Sequence, residues 1–85
     1  MIGIRIFGTT PPCAKCKRAE REAQEAAEEF PGEVEVVKLD ALGPEAEAFE
    51  VMVTPTIVID DQIIGMGTIV RAERIAAHIR RILEE

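Results

Sequence analysis

Two strand-like runs flanking a long amphipathic stretch leave the first half of this chain little freedom of topology. Ile2-Gly3-Ile4-Arg5-Ile6-Phe7 puts Ile2, Ile4 and Ile6 on one face at period two, the pattern of a strand. From Cys13 to Phe30 the apolar positions Cys16, Ala19, Ala23, Ala26, Ala27 and Phe30 recur at helical spacing among Lys, Arg, Glu and Gln. The spacing predicts a helix over 13–30, stopped by Pro31-Gly32. Glu33 to Leu39 reads as a second strand. Strand, helix and strand in this order form a right-handed βαβ unit, so the two strands run parallel. The alanine stripe is small enough for close packing on a flat surface, which a sheet provides.

The second half forces the opposite pairing. Gly43-Pro44 opens a short helix running to about Val51, with Pro44 in its first turn and Ala46, Phe49 and Val53 facing inward. Thr54-Pro55 leads into a strand from Thr56 to Ile59. Asp60-Asp61 has room only for a tight turn, so Gln62 to Met66 returns antiparallel. From Arg71 onward, Ala72, Ile75, Ala76, Ile79, Ile82 and Leu83 mark the apolar stripe of a last helix. The expected fold is therefore α/β: a four-stranded mixed sheet in the order β-α-β-α-β-β-α, flanked by three helices in two or three layers. Residues 1–85 read as a single domain without linker, repeat or low-complexity tract.

Charge and composition narrow the function. A net charge of −6 and a pI near 4.8 leave no basic face for a phosphate backbone, so no nucleic-acid partner is expected. No apolar run approaches the roughly 18–20 residues of a membrane span. Arg5 also interrupts the apolar start, and no cleavage-type segment follows it. The chain thus reads as cytoplasmic, with no membrane partner and as a monomer. In a reducing compartment its 2 cysteines are catalytic or metal-binding rather than a disulfide scaffold. The absence of Asn, Ser, Trp and Tyr and the wealth of Ile, Glu and Arg lean towards a thermophilic source.

The chemistry concentrates in Gly8-Thr9-Thr10-Pro11-Pro12-Cys13-Ala14-Lys15-Cys16, where consecutive prolines end the first strand and the helix begins. Thiol–disulfide exchange needs a thiolate attacker and a second thiol that resolves the mixed disulfide. Cys13, at the helix start, meets unpaired backbone N–H groups and the positive end of the macrodipole, both of which favour a thiolate. Cys16 lies on the inward stripe, where it should be more buried and harder to ionise. Cys13 would therefore attack and Cys16 resolve. Lys15, Lys17, Arg18 and Arg21 crowd the first turns, while Glu25, Glu28 and Glu29 collect at the far end. This arrangement opposes the macrodipole but supports a thiolate, and makes Lys15 a supporting residue. The same charges can instead form i,i+4 pairs, Arg18–Glu22 and Arg21–Glu25, on a solvated face. Pro11-Pro12 stiffens the loop and would hold Cys13 out at a fixed angle. The competing chemistry is a soft-metal or iron–sulfur module, for which the pair supplies half a tetrahedral site. His78, far along the last helix, is a weak third ligand. A metal carrier with Cys-x-x-Cys after its first strand would need the order β-α-β-β-α-β, which this chain lacks.

A strand, Cys13-Ala14-Lys15-Cys16 opening a helix, and Val53-Thr54-Pro55-Thr56 opening a later hairpin together resemble the thioredoxin superfamily over the whole chain. The short loop and small size are similar to the small archaeal and bacterial thioredoxin-like, or glutaredoxin-like, redox proteins. The resemblance implies a thioredoxin fold and a dithiol/disulfide oxidoreductase of electron transport and cell redox homeostasis that reduces protein disulfides. No cofactor is implied beyond the redox-active Cys13–Cys16 disulfide, and no metal. The electron donor would be a thioredoxin-reductase-type or ferredoxin-linked protein. By the same resemblance Pro55 is cis and packs against the cysteines, Thr54 pairs its backbone with an extended substrate, and Pro12 flanks that substrate. Some positions depart from the family pattern. Pro12 stands where the usual Trp would be, and Ala14-Lys15 replace Gly-Pro. Gly65-Met66-Gly67-Thr68 lacks the acid of a glutathione site. The first strand also lacks the buried acid that manages protons for the resolving thiol, with Phe7 near its position. Lys38 resembles the lysine that accompanies that acid, so Cys16 would exchange protons through water or Lys38; the alternative for Lys38 is a snorkelling residue at the strand edge.

Overall fold

The computed structural model describes residues 1–9 and 13–84. The alternating isoleucines form β1 (Ile2–Gly8), and the alanine stripe forms α1 (Ala14–Ala27). They are followed by β2 (Val34–Asp40), α2 (Pro44–Ala48), β3 (Thr56–Ile59), β4 (Gln62–Met66) and α3 (Ala72–Glu84). The sheet is 4-stranded in the order β2-β1-β3-β4. β1 runs parallel to β2, as the crossover helix demands, and antiparallel to β3. β3 and β4 form the expected antiparallel hairpin, with a bulge between Ile57 and Val58.

Period-two alternation divides the core between the two faces of the sheet. Ile2, Ile4, Ile6, Ile57 and Ile59 pack against Ala19, Ala23 and Ala26 of α1 and Ile75, Ala76 and Ile79 of α3. On the opposite face Phe7 and Val58 pack against Ala46 of α2, with Leu39, Phe49 and Val51 around them. The fold therefore has three layers, with α1 and α3 on one side and α2 on the other. The alanines of α1 bury fully because short side chains let the helix backbone settle onto the sheet. A long-range contact fixes α3 on α1: the Ala72 N–H donates to Glu22 Oε1 at 2.8 Å, a carboxylate cap on a helix N-terminus supplied from the neighbouring helix.

Two helix ends and the placement of two side chains differ from what the sequence predicts. α1 ends at Ala27 rather than Phe30, because the bonding tightens: the N–H groups of Glu29 and Phe30 donate to Ala26 and Ala27, three residues back. Phe30 still packs onto the core from the turn that follows. α2 ends at Ala48, not Val51. Glu50 adopts φ 53 and the Val51 N–H reaches back to the Ala46 carbonyl at 3.0 Å, a left-handed helix stop. With the helix closed there, Val53 is carried outward and is half-exposed rather than core-facing. Leu83, assigned to the inward stripe, also lies on the outside of the last turn of α3.

Candidate functional site

β1 delivers the chain to the start of α1, where Cys13 is the N-cap residue, with extended backbone at φ −77 and ψ 173. Its sulfur accepts the Cys16 N–H at 3.4 Å, so the thiol occupies the position where an N-cap side chain satisfies an orphan donor. Cys16, one turn on, projects to the sheet side with Ala19 and is 3% exposed, whereas Cys13 is exposed. The two free thiols lie 3.0 Å apart, with the Cys13 S–H directed at Cys16.

This geometry bears on the expectation that burial would make Cys16 hard to ionise. Burial pushes Cys16 up, but the Cys13 S–H and hydrogen bonds from the backbone and side chains of Thr9 and Cys13 outweigh it and hold Cys16 below the ordinary thiol range. Access to solvent distinguishes the two sulfurs.

Thr9 ties the end of β1 to both cysteines. Its hydroxyl accepts the Cys13 N–H at 3.1 Å and lies 4.0 Å from Cys16 Sγ. Lys15 takes a different place from the one expected. Its ammonium donates to the Gly67 carbonyl at 3.1 Å, across to the segment after β4. The Gly67 N–H in turn donates to the Pro55 carbonyl at 2.8 Å. Lys15 thus links the first turn of α1 to the Pro55 loop instead of pointing at a thiolate. Arg18 makes the i,i+4 contact with Glu22 at 3.8 Å, while no Arg21–Glu25 pair forms among the described residues.

The Thr54–Pro55 peptide is cis, and Pro55 is buried. Thr54 is half-buried and stands just before β3, outside the ladder hydrogen bonds. Its neighbour Val53 uses its carbonyl to accept the Thr56 hydroxyl at 2.7 Å. Beside Thr54 runs an open cavity of about 580 Å³, lined by Thr9, Asp40, Leu42, Met52, Val53 and Thr54 among others. Leu42 is 94% exposed and Met52 87%, so the groove next to the dithiol has an apolar rim. Pro12 lies outside the described residues.

Several site residues went unread in the sequence. Gly8 reads in the sequence only as the first residue of the loop after β1, yet a Cβ there would stand 3.1 Å from Cys16 Sγ, so the missing side chain is what lets the sulfur approach β1. The position on β1 that faces Cys16 is therefore Gly8, with Ile6 beside it, and not Phe7, which packs on the α2 side. Gly67, at φ 73, makes the turn that receives Lys15. Leu42 and Met52 give no periodic signal because they sit outside the helices and strands, Leu42 in a turn and Met52 in the irregular segment before β3. Lys38, half-exposed, pairs with Glu20 at 3.2 Å. Among the described residues no third His, Cys, Asp or Glu joins the cysteines in a metal-binding group, and His78 lies beside Arg74 and Arg81 on α3. The arrangement suits two-electron dithiol chemistry with one exposed and one protected sulfur.

Residues 2–80 match the thioredoxin domain family. A thioredoxin of Methanocaldococcus jannaschii is 31% identical over 83 residues, covering 95% of this chain and 96% of the relative. Among solved structures, chloroplastic thioredoxin z superposes with a TM-score of 0.79 at 27% identity, over 100% of this chain and 80% of that one. Mitochondrial thioredoxin 3 of Saccharomyces cerevisiae in its oxidized form gives 0.61 at 27% identity, over 99% and 78%.

Proposed function

Because the chain belongs to the thioredoxin family and is a thiol–disulfide oxidoreductase, we propose that Cys13 is its attacking thiol and Cys16 its resolving thiol. The observation that carries this reading is the asymmetry of the pair: an exposed sulfur at the helix N-cap, 3.0 Å from one that is 3% exposed. A bulky protein disulfide can reach only the first. Cys13 thiolate attacks the substrate disulfide, forms a mixed disulfide and expels one substrate thiolate. Cys16 then attacks the Cys13 sulfur, expelling the second and leaving the Cys13–Cys16 disulfide. Two electrons pass to the substrate, and the pair itself is the only redox group, with no metal or other cofactor.

Substrate would lie extended along Thr54, which stands outside the ladders and lines the groove, and would pair with its backbone, with Pro55 and Pro12 flanking the mixed disulfide. The apolar rim of Leu42, Met52 and Val53 would take an apolar side chain of that segment. Lys15 would shape the far side of the groove through Gly67 and does not act on the thiolate directly. The partners are protein disulfides and a thioredoxin-reductase-type or ferredoxin-linked donor. Residues 1–85 act as one domain and as a monomer, in cytoplasmic electron transfer and redox homeostasis. The composition favours a thermophilic source.

Met52→Asp tests the groove. Placing a carboxylate where an apolar substrate side chain must dock removes a contact worth about 1.5 kcal/mol, so KM for a protein disulfide rises by roughly 10-fold. Turnover of a small aromatic disulfide, too small to span the groove, stays at the wild-type rate. Equal loss on both substrates would contradict docking at this rim.

A further inference from the structure

The resolving step poses a proton problem that the pair cannot solve by itself. Cys16 must lose its proton before it attacks, yet it is 3% exposed. In the free dithiol its neighbour is the Cys13 sulfur. Once Cys13 is bonded to substrate, that sulfur carries no charge to receive a proton, and the substrate covers the outer side. The remaining way out is behind Cys16, where a cavity of about 170 Å³ is lined by Ile6, Gly8, Thr9, Cys16, Lys38 and Asp40, with Leu39 beside them. Its size admits several waters at about 30 Å³ each. It opens onto the sulfur because Gly8 has no side chain.

We propose that this cavity is the proton exit of the resolving step and that Asp40 receives the Cys16 proton through water. Asp40 is the register partner of Gly8 in the parallel β1–β2 ladder, so it stands one strand over, about 4.8 Å, on the face that Gly8 turns to Cys16. The Leu42 N–H donates to Asp40 Oδ1 at 2.8 Å and orients the carboxylate at the cavity mouth. The charged and titratable groups around the cavity are Cys13, Cys16 and Glu20 from α1 and Lys38 and Asp40 from β2; β1 contributes none. Lys38 is an ammonium held on Glu20, and an ammonium donates protons but accepts none. The Thr9 hydroxyl lies 4.0 Å from the Cys16 sulfur, on the side where the thiolate is left behind.

The Cys16 S–H proton passes through water to the Asp40 carboxylate, and the Cys16 thiolate attacks Cys13 Sγ. The Cys13–Cys16 bond forms as the Cys13–substrate bond breaks, and the substrate sulfur leaves with the electron pair. That thiolate takes up a proton from solvent, and Asp40 returns its own to solvent.

This proposal rests on the assignment of Cys13 as attacker and Cys16 as resolver. Its test is the single-turnover rate of mixed-disulfide resolution as a function of pH in Asp40→Asn, which keeps an oxygen for the Leu42 N–H. Resolution slows by about 10-fold below neutrality, modest beside the ~10²–10⁴ of direct general acid–base catalysis because water intervenes. The deficit closes as rising pH lets solvent base take the proton, while attack by Cys13 keeps its rate. Glu45→Gln, which removes an exposed surface charge from α2, resolves at the wild-type rate. An unchanged rate in Asp40→Asn, or slowing by the same factor at every pH, would overturn the proposal; so would a defect in Lys38→Gln that Asp40→Asn does not share. Failure of Cys16→Ser to accumulate a Cys13-linked mixed disulfide would instead overturn the role assignment, and the exit with it. A trapped mixed disulfide together with normal resolution in Asp40→Asn overturns the exit alone.

Discussion

Cys13→Ser reduces protein-disulfide reduction to background, a loss on the order of 10³-fold or more, as befits removal of a nucleophile. Cys16→Ser completes the first half-reaction and then stops as a covalent adduct with its substrate. The two outcomes differ because the two sulfurs occupy different environments. Cys13 is exposed and caps α1, while Cys16 is covered by β1 and by Cys13 itself. A serine hydroxyl at position 13 does not supply the soft, ionised sulfur that exchange requires. A serine at 16 leaves the attacking sulfur in place but deletes the only group positioned to release the product. Non-reducing electrophoresis with an insulin-type substrate reads both results. A trapped adduct in Cys13→Ser, with free turnover in Cys16→Ser, would reverse the roles.

Gly8→Val damages both the fold and the dithiol, because the added side chain meets Cys16 itself. Even a single added carbon at Gly8 would lie 3.1 Å from Cys16 Sγ and 3.2 Å from its Cβ, and valine adds two further methyl groups to that crowded side. Either α1 lifts from the sheet or Cys16 abandons its rotamer. Overpacking of this kind destabilises by about 1–3 kcal/mol, equivalent to a fall in Tm of roughly 4–8 °C per kcal/mol for a domain of this size. The sulfurs also part, so disulfide closure slows beyond what stability alone accounts for. Gly8→Ala gives the same effects in milder form. The check is a thermal melt combined with the resolution rate at a temperature where the variant is fully folded. A variant with wild-type Tm and wild-type resolution would show that β1 does not set the position of Cys16.

Much of the fold was legible because the core is built from periodic apolar residues. Ile2, Ile4 and Ile6 alternate, Ala19, Ala23 and Ala26 repeat at helical spacing, and Asp60-Asp61 leaves room only for a hairpin, so element order and strand directions follow. The helix ends were less legible. They depend on backbone bonds such as Val51 to Ala46 and on the positive φ of Glu50, for which a glutamate gives no warning. The cysteines were legible because only they can exchange a disulfide. Lys15 was misread because local charge suggested a thiolate neighbour, whereas its partner, Gly67, lies far along the chain. Gly8 and Asp40 went unread for the same reason: their importance arises from strand register, which pairs them beside the cavity that Cys16 also lines. Register is a property of the assembled sheet, and an isolated glycine or aspartate at a strand end carries no sign of it.

The asymmetry of the two sulfurs is most directly tested by alkylating the reduced protein with limiting iodoacetamide at neutral pH and mapping the label by peptide mass. The exposed sulfur at the helix N-cap predicts that Cys13 is carboxamidomethylated first, with Cys16 unmodified at early times. Label accumulating first on Cys16 would contradict it.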